Sequence, residues 1–225
     1  MVRTLALALA VAVGFAAAPA YAASPEAEDI VAKSEITLKR VLRDQENGPR
    51  VRDLMKRAKG VMIFPNIIKG AFFIGGEGGS GVLMARYAND AWSYPAFYTM
   101  GSVSFGLQIG GQSSEAVLLV MTQNGVDAIL NDQVKLGADL SAAAGPVGAG
   151  AEASTTTAGG ADIYVYSLNQ GLFVGASLEG AVVARRNDWN EGYYGKPVTP
   201  IGIVRENKAQ NPDADPLRAQ VEALN

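Results

Sequence analysis

The hydrophobic pattern of this chain changes at Gly60, and this change constrains the fold more than any other feature of the sequence. Before Gly60, apolar residues recur at helical spacing, with one break at Asn47-Gly48-Pro49. After Gly60, short apolar runs are separated by Gly, Pro, Asn and Asp, which is typical of strands and turns. The pattern predicts an α+β fold in which short N-terminal amphipathic helices pack on a Gly-rich, mainly antiparallel β body of many short strands.

Glycine and helix-start signals refine this prediction. Glycine makes up 26 of the 225 residues, and glycine within apolar runs is typical of tight turns, bulges and closely packed strands. Ser24-Pro25 is predicted to begin the first helix, because Ser is a favoured N-cap and Pro is favoured in the first turn. Asn124-Gly125 and Asp215-Pro216 are predicted to begin two further short helices.

The first 22 residues have the pattern of a secretory signal peptide. Arg3 is followed by an apolar run over 5–18 and by Ala20-Tyr21-Ala22, a small-x-small cleavage pattern. An uncleaved anchor is the alternative, but the run is shorter than the ~20 residues that span a bilayer. We therefore expect an exported chain, periplasmic or secreted, that is at most peripheral to a membrane. The predicted organisation is a signal peptide over 1–22, one domain over 23–205, and a polar tail with a short helix over 206–225.

The chain contains neither His nor Cys. Their absence removes Ser-His-Asp and Cys-His nucleophile pairs, imidazole metal ligands, disulfides and Cys-bound metal. The segment 76–81 matches G-x-G-x-x-G, but β-like residues follow it instead of the helix that a dinucleotide site needs. A Gly-rich hairpin is predicted there instead. Asp188 and Glu191 are the candidate acid/base pair, and they lie in a predicted loop beside Trp189. We expect no enzyme, no cofactor and no specific metal.

Positive charge is concentrated near the predicted mature N terminus. Residues 33–69 carry ten bases and four acids, whereas the rest of the chain after residue 22 carries eight bases and 18 acids. Such asymmetry predicts an anionic partner surface, although a solvated helical face is the alternative. Nucleic acid is not the expected partner, because the chain is net negative and no stacking aromatic residues interleave with the bases.

Eight blocks of sequence, in order along the chain, carry a family resemblance. They are KGVMIF (59–64), KGAFF (69–73), GSGVLMAR (79–86), WSYPA (92–96), VSFGLQIG (103–110), LGADLSAAAGPVG (136–148), GLFVGASLEG (171–180) and YYG (193–195). Together they make residues 32–195 similar to the SYLF lipid-binding domain family. The resemblance is to an exported bacterial member, related to fungal SYLF proteins that bind actin.

The resemblance implies peripheral binding of anionic phospholipid, or of a membrane surface, through a basic amphipathic N-terminal region and without catalysis. The ligand would be an anionic glycerophospholipid or a lipid A phosphate. The residues that match the basic helical region of the family are Lys33, Lys39, Arg40, Arg43, Arg52, Lys56, Arg57 and Lys59. Lys69, the last base of the cationic segment, completes the set of predicted lipid-binding residues. Apolar helix residues or an aromatic cluster would add shallow burial in the membrane. The cluster consists of Trp92, Tyr94, Phe97 and Tyr98, and the alternative is that it belongs to the core or to a strand end.

One expectation about partners follows from the predicted export. Because an exported chain does not meet actin, no actin partner is expected. The sequence leaves the oligomeric state open. The alternative function is an envelope scaffold or protein-interaction module without a specific lipid ligand.

Overall fold

The computed structural model describes residues 24–71, 74–105, 110–131, 133–145, 161–169, 172–174, 178 and 180–224. The predicted signal peptide lies outside the described residues. Among the helices that the structure describes, none combines the length and the apolar character needed to cross a bilayer. Most of the low-complexity stretch 141–160 also lies outside the described residues, although its first part contributes a short strand, Ala142–Ala144.

Helices precede, interrupt and follow the β body. The helices are α1 (Pro25–Arg43), α2 (Gly48–Arg57), α3 (Gln123–Asn131), α4 (Asn187–Tyr194), α5 (Pro200–Val204) and α6 (Asp215–Glu222), with a 3₁₀ turn at Pro212–Ala214. The strands are β1 (Gly60–Ala71), β2 (Ile74–Ala85), β3 (Ala96–Phe105), β4 (Gly110–Val120), β5 (Val134–Lys135), β6 (Ala142–Ala144), β7 (Ile163–Asn169), β8 (Leu172–Val174) and β9 (Val182–Arg185).

The strands form one mixed sheet in the order β5-β9-β3-β2-β1-β4-β7-β6, with β8 paired to β7. Every pairing is antiparallel except that of β6 with β7. The predicted α+β class is confirmed. However, β1 to β4 have 10 to 12 residues each, so the central strands are longer than the short runs that the sequence predicts. The reason is that the glycines of 75–81, interpreted as a hairpin, lie inside β2 and hide its apolar alternation.

Gly81 lies where the central hairpin changes register. The pairing of β1 with β2 shifts between Ile63 and Asn66, on either side of Pro65, which has no N–H to donate to a ladder. A Cβ at Gly81 would lie 2.3 Å from the Ile63 carbonyl oxygen and 2.6 Å from Cδ1 of the Phe64 ring. Because Gly81 on β2 has no side chain, it leaves room for the irregularity that Pro65 imposes on β1.

The N-terminal helices cover the sheet with their apolar faces. α1 lies against β1, β2 and β4, and its inward residues include Ile30, Leu38 and Val41. In α2, Val51 and Met55 are fully buried. Burial of aliphatic side chains of this size supplies much of the stability of such contacts, about 1.5–3 kcal/mol for each side chain.

The aromatic cluster belongs to the interior. Trp92, Phe97 and Tyr98 are fully buried, and Tyr94 is 8% exposed. Burial raises the pKa of Tyr98, whose hydroxyl donates to the Ile129 carbonyl. The structure therefore assigns this cluster to the core, and its alternative role as a membrane-interface belt is excluded.

The segment after β9 was predicted to be a loop at 188–191, and this prediction was wrong. Asp188 and Glu191 lie in α4, which ends at Gly195 in a left-handed conformation with φ of 63°. The helix is held by aromatic contacts, since the Tyr193 and Phe97 ring centroids are 5.0 Å apart in an edge-on arrangement. A glycine at this position is a helix C-terminal signal, but the helix is too short for its apolar period to be evident.

Candidate functional site: a cationic surface on α1 and α2

The cations of α1 are largely paired with carboxylates. Lys33 Nζ lies 2.6 Å from Asp29 Oδ2, one helical turn earlier. Lys39 pairs in the same way with Glu35. Both lysines are about half exposed, and exposed pairs of this kind are weak and screened by salt. The charge of this helix is therefore partly balanced locally.

Glu115 attaches α1 to the sheet. This residue of β4 accepts a hydrogen bond from Thr37 Oγ1 at 2.9 Å and forms an ion pair with Arg40. Its side chain is 19% exposed, so this pair is better shielded from water than the pair of Lys33 with Asp29. Arg40 is therefore held against the sheet by a carboxylate outside its own helix.

A second group of cations lies at the C-terminal end of α1 and between the last turn of α2 and the start of β1. We call it the α2 cation group, and it consists of Arg43, Lys56, Arg57 and Lys59. All four side chains are exposed. Among the described residues, Arg43, Arg57 and Lys59 have no carboxylate within ion-pair distance, and Lys56 has only the exposed Asp53, at 3.7 Å.

Helical spacing explains why these cations face solvent. Val51 and Met55 are buried on one side of α2, so Lys56 and Arg57, one and two positions after Met55, turn toward the opposite side. The C-terminal end of α1 lies against α2, because Arg52 donates from its guanidinium to the Leu42 carbonyl. The structure thus brings Arg43 to the same end of the molecule as α2.

Two predicted site residues, Arg52 and Lys69, belong neither to this group nor to the paired cations of α1. Arg52 is half-buried and hydrogen-bonded to the end of α1, so its role in the structure is to hold the two helices together. Lys69 lies ten residues beyond Lys59 along β1, which is about 30 Å at the usual rise of a strand. Lys69 is directly opposite Glu77 on β2 in the strand register.

Ile36 is a site residue that the sequence analysis missed. It is 53% exposed and, with Ile68, is one of two exposed large hydrophobic residues in the described part of the chain. Lys33, Lys39 and Arg40 are its neighbours at i−3, i+3 and i+4 on α1, and Arg43 follows at i+7 on the same face. The signal was present in the sequence, because Ile36 lies outside the helical stripe of the core residues.

The acids of α4 do not form an acid/base pair. Asp188 accepts two hydrogen bonds from Arg186, at 3.0 and 2.8 Å, and Arg186 lowers the pKa of Asp188. A carboxylate held ionised in this way is poorly suited to act as a general acid. Glu191 instead lines a separate surface groove of about 530 Å³ between α4 and α5. Within the described ranges, no group of acids could hold a metal ion.

Comparison with known proteins places the fold in a family. A family model described as "Ysc84: Las17-binding protein actin regulator" matches residues 101–224. The chain is 34% identical over 168 residues to LAS seventeen-binding protein 3 of Saccharomyces cerevisiae, covering 73% of this chain and 36% of that protein. It is 30% identical over 152 residues to the human SH3 domain-containing YSC84-like protein 1, covering 67% of this chain and 44% of that protein. The chain therefore spans about two fifths of the length of these relatives.

These findings correct the expectations about partners. The sequence analysis excluded actin and named only a lipid or membrane partner. That exclusion was wrong, because the matching family is described as an actin regulator and its relatives are named for binding LAS seventeen. The prediction that the chain is exported is not a sufficient reason to exclude actin, given this similarity.

Where the structure describes them, the blocks that resembled SYLF proteins lie mainly on the β body and on α4. The family model covers β3 after its first half, β4 and every element that follows, through α6. It thus covers more than half of the chain and includes the strands that build both edges of the sheet. The chain belongs to the Ysc84/SYLF family.

Proposed function

We propose that this domain binds anionic phospholipid peripherally and without catalysis, through the α2 cation group. The observation that carries the proposal is the exposure of Arg43, Arg57 and Lys59 at one end of the molecule, with no carboxylate of the described residues paired to them. Exposed cations attract anionic headgroups within about one Debye length, ~8–10 Å in physiological salt. The predicted export remains part of this proposal, since an envelope membrane would present such headgroups.

Shallow apolar burial complements the charge. Ile36 is exposed among the cations of α1, and Arg43 lies two turns later on the same face. An amphipathic helix that lies on a membrane inserts its apolar residues only to the boundary of headgroups and acyl chains. Because the aromatic cluster is buried, Ile36 is the apolar side chain placed to do this.

The weak lysine pairs of α1 are compatible with such binding. Asp29 and Glu35 hold Lys33 and Lys39 through exposed contacts within the same helix, and such contacts contribute little to stability. A phosphate group can therefore replace either carboxylate at small cost. Lys33 and Lys39 would join the site only after the α2 cation group has engaged the surface.

The test is co-sedimentation of the purified chain with vesicles of phosphatidylcholine, with and without phosphatidylglycerol, over a salt series. We expect binding only with phosphatidylglycerol, and we expect it to weaken steeply between about 50 and 500 mM salt because screening acts on exposed charge. Binding should change little between about pH 6 and pH 8, because the chain has no His to titrate there. Equal binding to neutral vesicles, or binding unaffected by salt, would refute the proposal.

Removing the charge of Glu115 should strengthen vesicle binding. In the Glu115→Gln variant Arg40 loses its ion-pair partner and becomes available to headgroups, while the amide oxygen can still accept from Thr37. We expect the affinity for phosphatidylglycerol vesicles at low salt to rise about threefold. Glu77→Gln is the matched control, because it makes the same charge change beside Ser102 and Lys69. An equal rise in both variants would mean that only net charge matters.

Protein binding is the second candidate function. It is supported by the family description as an actin regulator and by the relatives named as LAS seventeen-binding proteins. Co-sedimentation of the chain with purified actin filaments tests this candidate, and absence of the chain from the filament pellet would count against a direct actin contact.

A further inference from the structure

A buried arginine contacts the backbone of the segment 56–59, which is the turn at the end of α2 and carries three of the four residues of the α2 cation group. Arg86 follows the last residue of β2 and is 7% exposed. Its Nε donates to the Ala58 carbonyl at 3.0 Å, and its Nη2 donates to the Met55 carbonyl at 3.2 Å. These carbonyls belong to the C-terminal end of α2, where a helix leaves its last acceptors unsatisfied and carries partial negative charge. The guanidinium thus serves as the C-terminal cap of α2.

Backbone hydrogen bonds also attach this turn to the ends of two strands. The Lys59 N–H donates to the Val120 carbonyl at 2.8 Å, and the Lys59 carbonyl accepts from the Arg86 N–H at 3.0 Å. The turn is therefore fixed to β4 on one side and to the end of β2 on the other. Lys56, Arg57 and Lys59 project from a backbone that has little freedom to move.

The guanidinium of Arg86 is itself fixed. Its Nη1 donates to the Asp90 carbonyl at 3.2 Å, and its Cζ lies 4.6 Å from the centroid of the Trp92 ring. Desolvation lowers the pKa of Arg86, but a guanidinium stays charged at any physiological pH. Several backbone carbonyls and one aromatic face thus surround a cation that cannot reach a ligand directly.

We propose that Arg86 is a positioning residue for anion binding: by capping α2 it fixes the relative positions of Lys56, Arg57 and Lys59, and so prepares them to engage phosphate groups together. This inference rests on the proposed function. A fixed set of cations loses less conformational freedom on binding than a mobile set with the same charge. Arg86 therefore affects affinity without contacting the ligand and without changing the net charge of the surface.

The first test uses Arg86→Lys, which keeps the charge but removes the planar fork that reaches several carbonyls. We expect amide hydrogen exchange in residues 52–58 to accelerate while β1 and β4 stay protected. We also expect the affinity for phosphatidylglycerol vesicles to fall about fivefold. Arg218→Lys is the matched control, because Arg218 donates to the Trp92 carbonyl and lies over Tyr94 but is not part of the α2 cap. Its affinity should equal that of the wild type.

A double-mutant cycle separates positioning from a merely structural role. If Arg86 acts through the turn, Arg57→Gln should cost less affinity in the Arg86→Lys background than in the wild type. Arg43→Gln, which removes a cation on α1, should cost the same in both backgrounds. Additive losses for both pairs would overturn the proposal, as would unchanged exchange in residues 52–58.

Two further outcomes are separable. If the wild-type chain binds neither vesicle type, the proposed function fails, and the positioning role fails with it. If the wild type binds and Arg86→Lys binds equally well, only the positioning role fails. Should Arg86→Lys not fold, Trp92→Phe replaces it, because a smaller ring weakens the contact with the guanidinium but leaves its hydrogen bonds. The same acceleration of exchange, with a smaller loss of affinity, is then expected, and its absence overturns the proposal.

Discussion

Replacing the whole α2 cation group by glutamine is expected to abolish binding to phosphatidylglycerol vesicles. The variant Arg43→Gln, Lys56→Gln, Arg57→Gln and Lys59→Gln removes all four exposed cations of the group, three of which have no carboxylate of the described residues within ion-pair distance. The remaining cations of α1 are paired with Asp29, Glu35 and Glu115. We expect co-sedimentation at about 150 mM salt to fall by more than tenfold. Thermal unfolding should be nearly unchanged, because all four side chains are exposed.

A charge-matched variant provides the control for this prediction. It neutralises four cations on other elements, namely Lys135, Arg185, Lys196 and Lys208, all of which are exposed. Both variants change the net charge by the same amount, so a general electrostatic effect would weaken both equally. Retained binding by the four-glutamine variant of the α2 cation group would show that the membrane contact lies elsewhere.

Gly81→Ala is expected to destabilise the β body strongly. The new Cβ would lie within 2.6 Å of both the Ile63 carbonyl oxygen and the Phe64 ring, and the central strand cannot move away because it is paired on both sides. Overpacking of this kind costs roughly 1–3 kcal/mol, occasionally more. Urea unfolding followed by tryptophan fluorescence measures the loss in the free energy of unfolding.

Gly76→Ala is the matched control in the same strand. A Cβ there meets nothing closer than the Ser102 carbonyl oxygen at 3.7 Å. Alanine is favoured over glycine in a strand by roughly 0.5–1 kcal/mol, so this variant should be neutral or slightly more stable. The opposite signs of the two substitutions distinguish a steric requirement for glycine from a general sensitivity of β2. Equal destabilisation would contradict the steric explanation.

The long helices were predictable because their signals are local. α1 and α2 have an apolar face at helical spacing, and Asn47-Gly48-Pro49 marks the start of α2, with Asn47 as its N-cap. α6 begins at Asp215, as predicted. By contrast, the length of β2 was hidden by glycines that have no side chains to alternate, and α4 was hidden because it spans only two turns.

The candidate site likewise contains contacts that the sequence predicts and contacts that only the fold creates. Two of the ion pairs of α1, Lys33 with Asp29 and Lys39 with Glu35, have a spacing of four residues, so the sequence alone could have predicted them. The pair of Arg40 with Glu115 joins residues 75 positions apart and exists only because β4 lies beneath α1. Lys69 was predicted as a site residue because it is the last base of the cationic segment, but strand geometry separates it from the α2 cation group.

The sequence by itself determined the class of this protein: helices before Gly60, strands after it, a concentrated cationic segment, and the family to which the blocks belong. These properties depend on neighbouring residues or on sums over the sequence, so they can be predicted without knowing the tertiary contacts. Only the tertiary structure decided which cations remain unpaired and which aromatic residues are buried. It also decided that a distant arginine caps α2, because burial and hydrogen bonding depend on which strands pack beneath each helix.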